Sequence, residues 1–330
     1  MKPCLIIYLF LTVAVGISNA ENRKVLLIGI DGLRSDALMK ANTPNIKSLL
    51  LNGFGTCSSW HQDITISGPS WSSILCGVYH DKHGVLDNSF SGSNYKDYPM
   101  LPVQAKKFNP NLKFGMYMEW NKLFDVSINQ DWDEMLSGQI GNTWKTQRES
   151  SKWLQNSILD FHFVYFGAVD LIGHLSGFST WNPFYLLSIE QIDRAVGALM
   201  KAIHSRPLYM DEDWLIIITT DHGGQGFSHG GLSPAERKLI WIAYSDRMNH
   251  SNIHATDYGN INDDCNPYTS PSCRRSPVQV DIVPTVLDFL LIDYEKEDYM
   301  CFVSNQEGRS WIREMGLNSF GHQPILAYKG

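Results

Sequence analysis

Five apolar runs along the chain predict the strands of a buried sheet. They cover residues 24–30, 113–120, 161–169, 214–220 and 238–244. Their apolar residues are continuous rather than alternating, which is typical of strands that are covered on both faces. Three of these runs lead into an aspartate. The pattern therefore predicts a sheet with acidic groups along one edge.

Helical patterns lie between these runs. They span residues 43–53, 185–203 and 278–290, with apolar positions three and four residues apart. We expect the segments 89–98 and 249–275 to be surface loops, because they are long and rich in turn-forming residues. The alternation of strands and helices predicts an α/β fold, with a mostly parallel central sheet flanked by helices on both faces.

The first twenty residues have the pattern of a secretory signal peptide. Lys2 precedes an apolar run over residues 5–15, and a small-residue cleavage site ends at Ala20. The apolar run is too short to span a membrane. We therefore expect residues 1–20 to be removed and residues 21–330 to form a single, soluble, secreted domain.

Secretion into an oxidising compartment changes what the cysteines imply. Cys265 and Cys273 flank a polar loop and are candidates for a local disulfide. Cys76 lies in an apolar helical context, where we expect a free, buried thiol. An odd number of cysteines follows residue 20, so the pairing of Cys57 and Cys301 stays open.

The charge of the chain narrows the choice of partners. Its formal net charge is −7 and it contains no basic tract, which argues against binding to nucleic-acid backbones. Asn249-His250-Ser251 is a sequon for N-glycosylation. We expect a small-molecule substrate, and the sequence leaves the oligomeric state open.

The residues that suggest chemistry are three aspartates that follow strands and three histidines close to them in the sequence. They are Asp31, Asp170, Asp221, His174, His222 and His229. The carboxyl ends of parallel strands share one edge of a sheet, which is where α/β proteins bind ligands. Carboxylate and imidazole together suit zinc, although manganese and iron also accept them. The sequence therefore predicts a metal site at this edge.

Ser67 is the candidate nucleophile. Its segment, ITISGPSWSSILCG (64–77), predicts a short β-like run, a sharp turn at Gly68-Pro69 and then a helix. Serine at the start of a helix is ordinarily a cap. Close to a metal site, however, its hydroxyl could attack, and we expect the backbone N–H groups that follow it to stabilise the developing charge.

Six collinear segments carry a resemblance to a known superfamily. They are IGIDGLRSDAL (28–38), TPNIKSLL (43–50), SGPSWSSILCGVYHDKHGV (67–85), VDLIGH (169–174), TTDHGGQGFSHGG (219–231) and QVDIVPTVLDFL (279–290). The chain resembles the alkaline phosphatase superfamily, most closely its ectonucleotide pyrophosphatase/phosphodiesterase branch. The resemblance implies an alkaline-phosphatase-like catalytic domain over residues 21–330.

The resemblance also implies a site with two zinc ions. One ion would be held by Asp170, His174 and His229. The other would be held by Asp31, Asp221 and His222, with Ser67 between the two metals as ligand and nucleophile. The implied reaction cleaves a phosphodiester or nucleotide substrate through a covalent phosphoserine. His83 matches a position that the family keeps without using it as a ligand, and we expect it to be structural.

The sequence departs from the family pattern next to the nucleophile. Gly68 removes an aromatic wall that would stack on a base, and Ser70 replaces an amide that would hold a phosphoryl oxygen. Trp71, Trp120 or Tyr79 could supply a stacking face instead, but core packing is the role we expect of these aromatic residues.

Three alternatives bear on this hypothesis. A sulfatase would need an arginine where Trp71 stands, which argues against that activity. The same site could act on phosphomonoesters or phosphonate esters, but we find neither a third metal site nor an arginine near Ser67, which favours diesters. A secreted binding protein without activity is the third alternative, and the complete ligand set argues against it.

Overall fold

The computed structural model describes residues 22–61, 63–248, 276–291 and 306–317, together with residues 299 and 302. Its central feature is a seven-stranded sheet in the order β2-β7-β6-β1-β5-β3-β4. The strands are β1 (Asn22–Ile30), β2 (Phe54–Trp60), β3 (Phe114–Met118), β4 (Glu134–Ser137), β5 (Phe161–Phe166), β6 (Glu212–Thr219) and β7 (Lys238–Tyr244).

Strand β1 lies at the centre of the sheet. It pairs in parallel with β5 on one side and with β6 on the other, and β5, β3 and β4 continue the parallel half. The opposite edge is antiparallel, because β7 pairs with both β6 and β2 in that sense. Since β1, β5 and β6 run in the same direction, their carboxyl ends lie side by side at one edge.

Eleven helices surround the sheet in the part of the chain that the structure describes. They are α1 (Ser35–Lys40), α2 (Pro44–Asn52), α3 (Ser67–Cys76), α4 (His80–His83), α5 (Leu101–Phe108), α6 (Asn121–Ser127), α7 (Thr143–Asn156), α8 (Ala168–Ser176), α9 (Pro183–His204), α10 (Pro234–Arg237) and α11 (Ile282–Leu290). None of these helices is both long enough and apolar enough to cross a membrane.

Two apolar cores cover the two faces of the sheet. Successive side chains of β1 alternate between them, so that Val25 and Leu27 pack in one core while Leu26 and Ile28 pack in the other. The first core includes side chains of α3, α5 and α11, and the second includes side chains of α2 and α9. Both faces are therefore covered, which confirms the predicted fold class and explains the continuous apolar runs.

The five predicted strands are present with shifted ends. The largest shift is in β5, which ends at Phe166 rather than at residue 169. Gly167 has φ −101° and ψ 0°, so it leaves the extended conformation and α8 begins one residue later. The prediction that a strand runs directly into Asp170 is wrong in this detail, because Asp170 lies in the first turn of α8.

Two strands and one long helix have no counterpart in the sequence analysis. Strand β2 has the sequence FGTCSSW and β4 has the sequence EMLS, and neither contains a run of large apolar residues. Both are edge strands, which need less apolar surface than central ones. Helix α7 was missed because most of its residues are polar, with four buried positions among its fourteen residues.

Several predictions fall on residues outside the described ranges. These are the signal peptide, the glycosylation site at Asn249 and the cysteines Cys265, Cys273 and Cys301. Cys76 is described, and it is a buried free thiol as expected.

Candidate metal centre and nucleophile

Asp31 follows the last residue of β1, and two aromatic side chains orient its carboxylate. Its Oδ2 accepts a hydrogen bond from Trp71 Nε1 at 3.1 Å and another from the hydroxyl of Tyr165. Its Oδ1 is buried without a hydrogen-bond partner among the described residues. Gly32 allows the chain to turn here, with φ +67°, and a Cβ at this position would lie 2.7 Å from the Cα of Asp170. The Asp31 turn therefore packs directly against α8.

Asp221 and His222 follow β6, beside the Asp31 turn. Asp221 Oδ1 accepts the backbone N–H of Gly32 at 3.1 Å, while its Oδ2 has no hydrogen-bond partner in the described chain. His222 donates Nδ1–H to the carbonyl of Gly223 at 2.8 Å, because a carbonyl can only accept. Its Nε2 therefore presents a lone pair, 3.1 Å from Asp221 Oδ2 and 3.7 Å from Asp31 Oδ1.

Asp170, His174 and His229 form the second half of the cluster. Asp170 and His174 lie one turn apart on α8, and His174 Nε2 is 3.4 Å from Asp170 Oδ2. His229 Nε2 is 3.1 Å from His174 Nε2 and 3.7 Å from Asp170 Oδ1. Both histidines donate Nδ1–H at 2.9 Å to backbone carbonyls, His174 to Phe227 and His229 to Thr65. Their Nε2 lone pairs consequently face each other and the carboxylate.

The two halves of the cluster adjoin. The rings of His222 and His229 stack with their centroids 3.8 Å apart and their planes 20° apart. With the carboxyl groups ionised and the imidazoles neutral, the converging atoms of both halves are all acceptors. This arrangement is unfavourable unless cations lie among the lone pairs, and mixed nitrogen and oxygen donors fit a divalent metal. Two overlapping sets of ligand atoms lie within 4.8 Å of one another: Asp31, Asp221 and His222, and Asp170, His222 and His229.

Burial sets the protonation of these groups. It raises the pKa values of Asp31 and Asp221, and it raises that of Asp170 to about 9 with a further contribution from the charge of Asp31. It lowers the pKa of His222 to about 3 and that of His229 to about 4. His222 and His229 are therefore neutral near pH 7, as ligands must be, while burial favours the protonated forms of the three carboxyl groups, whose protons a bound cation would displace.

The structure places Ser67 beside this cluster. The side chain is 6% exposed, and Ser67 Oγ lies 3.2 Å from His222 Nε2. Helix α3 begins at Ser67 with Ile66 as its N-cap residue. The predicted turn at Gly68-Pro69 is therefore wrong, because both residues lie within the first helical turn, where Pro69 needs no backbone N–H. All seven predicted site residues come together at one edge of the sheet.

The backbone N–H groups after Ser67 are engaged elsewhere, contrary to expectation. Gly68 donates its N–H to Asn88 Oδ1 at 2.7 Å, Pro69 has none, and Ser70 donates its N–H to the carbonyl of Ile66 at 3.0 Å. Asn88 is thus in direct contact with the nucleophile turn. Nothing in the sequence pointed to this residue, because it lies twenty-one positions after Ser67, just before the predicted loop at residues 89–98.

Other residues near Ser67 also have roles that the sequence left open. Ser70 is fully buried, and its hydroxyl donates to the carbonyl of Ile64 at 2.9 Å. A Cβ at Gly68 would lie 2.5 Å from the carbonyl oxygen of Asp87, so the loop that carries Asn88 closes over this glycine. The space that an aromatic side chain would need at position 68 is therefore occupied by the backbone of Asp87.

The expected core roles of Trp71 and His83 are confirmed. Trp71 is fully buried, and its ring centroid lies 5.8 Å from that of Phe163. His83 is also fully buried and accepts the backbone N–H of Val85 at Nδ1, so its Nε2–H donates to Ser73 Oγ at 3.0 Å. Neither side chain offers a stacking face to a ligand.

Comparison with known proteins identifies the family. The family model for type I phosphodiesterase / nucleotide pyrophosphatase matches residues 25–113 and 93–237. These matches cover more than half of the chain and all seven predicted site residues. The chain therefore belongs to the type I phosphodiesterase / nucleotide pyrophosphatase family, within the alkaline phosphatase superfamily.

Two curated human proteins illustrate the relationship. Ectonucleotide pyrophosphatase/phosphodiesterase family member 7 is 24% identical over 227 residues, which cover 62% of this chain and 49% of that protein. Bis(5'-adenosyl)-triphosphatase ENPP4 is 25% identical over 223 residues, which cover 62% and 48%. The chain thus spans about half the length of the curated relatives it matches.

Solved structures of other proteins have a similar fold. A 2-O GAG sulfatase aligns with a TM-score of 0.65 and 12% sequence identity, covering 92% of this chain and 76% of the sulfatase chain. At this identity the likeness concerns the fold alone. It places the chain among alkaline-phosphatase-like α/β proteins, in agreement with the sheet described above.

Proposed function

We propose that this chain is a secreted two-zinc phosphodiesterase that cleaves nucleotide-type diesters or pyrophosphates through a covalent phosphoserine at Ser67. One observation carries the proposal. A serine hydroxyl at the start of a helix lies 3.2 Å from Nε2 of His222, which belongs to a cluster of three carboxyl groups and three imidazoles whose Asp31, Asp221 and His222 side chains are buried. Membership of the phosphodiesterase family supports the same reaction class.

The residues fit two divalent cations. Asp31, Asp221 and His222 would hold one ion, and Asp170, His174 and His229 the other. The oxygen atoms that support this assignment are the orphaned ones, Oδ1 of Asp31 and Asp170 and Oδ2 of Asp221. When bound, the two zinc ions would act as Lewis acids toward the phosphoryl oxygens and lower the pKa of the attacking hydroxyl.

The reaction would proceed in two displacements at phosphorus. Ser67 Oγ loses its proton to solvent and forms a bond to phosphorus, while the bond from phosphorus to the leaving alcohol or nucleotide oxygen breaks. Water then attacks the phosphoserine, the bond to Oγ breaks, and the hydroxyl is restored. His222 and His229 would not act as bases in this cycle, because their Nε2 lone pairs would be metal ligands and their Nδ1–H groups donate to backbone carbonyls.

Asn88 is the residue that we assign to charge stabilisation in place of the backbone N–H groups. Its Oδ1 already accepts from Gly68, which fixes the amide plane beside the nucleophile turn. The amide nitrogen keeps two N–H donors, and such donors stabilise oxygens on which charge develops. Asn88 would thus provide the side-chain amide that the family pattern has at the position of Ser70.

The diester preference follows from the charges around Ser67. With two divalent cations bound, the charges of the three carboxylates would be offset, and the sequence places no arginine next to Ser67 to hold a further phosphoryl oxygen. A monoester dianion carries one more negative charge than a diester, so it depends more on such an arginine. The signal-peptide pattern supports secretion, and mixed carboxylate and imidazole ligands support zinc.

Hydrolysis of bis(p-nitrophenyl) phosphate beside p-nitrophenyl phosphate tests the proposal. The purified secreted protein should cleave the diester faster, and a chelator should stop both reactions. Ser67→Ala should reduce diester turnover at least a thousandfold while zinc content stays unchanged. Ser89→Ala, at an exposed serine directly after Asn88, is the matched control. Faster monoester turnover, or appreciable turnover by Ser67→Ala, would contradict the assignment.

A further inference from the structure

A buried glutamate contacts the start of α8, and the proposed reaction does not use it. Glu119 directly follows β3, and its side chain is 2% exposed. A buried carboxylate is costly unless hydrogen bonds satisfy it. The contacts of Glu119 therefore indicate why this position tolerates an acid.

Both carboxylate oxygens of Glu119 accept hydrogen bonds from separate elements. Oε1 accepts from Thr146 Oγ1 of α7 at 2.6 Å, and Oε2 accepts from the backbone N–H of Gly167 at 2.9 Å. Gly141 also donates a backbone hydrogen bond to this carboxylate. The single side chain thus joins the end of β3, helix α7, the loop before it and the residue at which α8 begins.

The contact with Gly167 has a direct bearing on α8. Gly167 is the N-cap residue of α8, and as a glycine it has no side chain with which to cap the helix. An anion at this end interacts favourably with the helix dipole. Asp170 and His174 follow in the first two turns of α8, so the position of Gly167 sets where both side chains project.

The other half of the cluster is held by different residues. Asp31 is oriented by Trp71 and Tyr165, and Asp221 by the backbone of Gly32. None of these hydrogen bonds involves α7 or the loop before it. Gly32 packs against α8 but takes no hydrogen bond from it, so a change at Glu119 should act mainly on the ion held by Asp170, His174 and His229.

We propose that Glu119 is a positioning residue of the metal centre, whose buried carboxylate anchors the start of α8 and thereby sets the distance of Asp170 and His174 from His229. The inference rests on the two-metal site of the proposed function. Burial raises the pKa of Glu119 to about 7, so that this anchor changes its charge close to neutral pH. The hydrogen bonds from Thr146, Gly167 and Gly141 act in the opposite direction and favour the carboxylate.

The test compares zinc binding by the full-length wild type, Glu119→Gln and Glu149→Gln. Glu149 is the matched control because it also accepts a hydrogen bond next to β3, from Tyr117, but none from α8. In titrations against a competing chelator, we expect Glu119→Gln to weaken one of the two zinc ions about tenfold or more and to leave the other within twofold of wild type. Glu149→Gln should bind both ions as the wild type does.

Equal affinity of Glu119→Gln and wild type at both sites would overturn the inference, and so would equal weakening of both sites. Absence of zinc binding by the wild type would instead refute the two-metal site itself, so the two failures are distinguishable. If Glu119→Gln does not fold, Thr146→Val removes the donor to Oε1 alone. That variant should weaken the same ion by a smaller factor, and wild-type binding by it would overturn the inference in that case.

Discussion

The Nε2 atoms of His174 and His229 lie 3.1 Å apart, although each ring already donates its Nδ1–H to a backbone carbonyl. With both rings neutral, two lone pairs therefore face each other at hydrogen-bond distance. Asp170 presents its carboxylate to the same space. The backbone thus fixes the tautomers in advance, and the arrangement is stable with a cation between the lone pairs.

Zinc binding should release protons from the cluster. Burial and the charge of Asp31 raise the pKa of Asp170 to about 9 in the metal-free protein, so this carboxyl is protonated at pH 7.5. A carboxylate ligand must be deprotonated, and binding should release about one proton or more. Calorimetric titration with zinc in two buffers of different ionisation enthalpy measures the number released.

A control separates this release from general effects of charge. Asp36 is an exposed acid paired with Arg34, and Asp36→Asn should release the same number of protons as wild type. Heats that do not depend on the buffer would contradict the prediction, because they would mean that the ligands are already deprotonated before zinc binds.

The metal ligands could be predicted from the sequence because each of them directly follows a strand or lies in a short motif. The parallel arrangement then brings Asp31 and Asp221 together without any further information. Asn88 and Glu119 could not be found in this way. Each contacts the site through the backbone of a residue distant in sequence, Gly68 for Asn88 and Gly167 for Glu119. Ordinary loop composition around Asn88 and the polar sequence of α7 conceal these contacts.

Trp71→Phe should weaken the ion held by Asp31, Asp221 and His222. The substitution keeps an aromatic ring in the core but removes the Nε1–H that donates to Asp31 Oδ2 at 3.1 Å. Loss of one such hydrogen bond to a metal ligand typically lowers metal affinity about tenfold to a hundredfold. Chelator competition should show weaker zinc binding at this site in Trp71→Phe. Glu119→Gln should instead weaken the other site.

Trp241→Phe is the control for the loss of ring volume. Trp241 is also fully buried, but its Nε1 has no hydrogen-bond partner among the described residues. Both substitutions should lower the free energy of unfolding, by about 1 kcal/mol or more, through imperfect packing. Trp241→Phe should leave both zinc affinities unchanged, and an equal effect of the two variants on zinc binding would show that packing rather than the hydrogen bond is responsible.

Asn88→Ala should reduce diester turnover by about a hundredfold with little change in zinc content. The side chain fixes the first turn of α3 through Gly68, and its amide donors are those that we assign to the phosphoryl oxygens. Steady-state kinetics should show the loss in kcat rather than in KM, since the contact strengthens as charge develops. Ser89→Ala should retain wild-type kcat, and a loss confined to KM in Asn88→Ala would contradict the assignment.

The stability of the wild type relative to Glu119→Gln should fall as pH rises from about 4.5 to about 7. Burial raises the pKa of Glu119 from 4.5 to about 7, so within this window the folded protein holds a proton that the unfolded chain has lost. Stability falls with rising pH wherever the folded state binds more protons, here by on the order of 3 kcal/mol over the window. Glutamine does not titrate, so the difference between the two proteins isolates Glu119 from the other buried acids.

Urea unfolding at a series of pH values measures this difference. Glu149→Gln serves as the control, because the hydrogen bond from Tyr117 lowers the pKa of the half-exposed Glu149 instead of raising it. The free energy of unfolding of the wild type relative to Glu149→Gln should therefore not fall as pH rises from 4.5 to 7. If the difference between wild type and Glu119→Gln is constant from pH 4.5 to 7, Glu119 remains a carboxylate in the folded protein. Its three hydrogen bonds would then outweigh its burial.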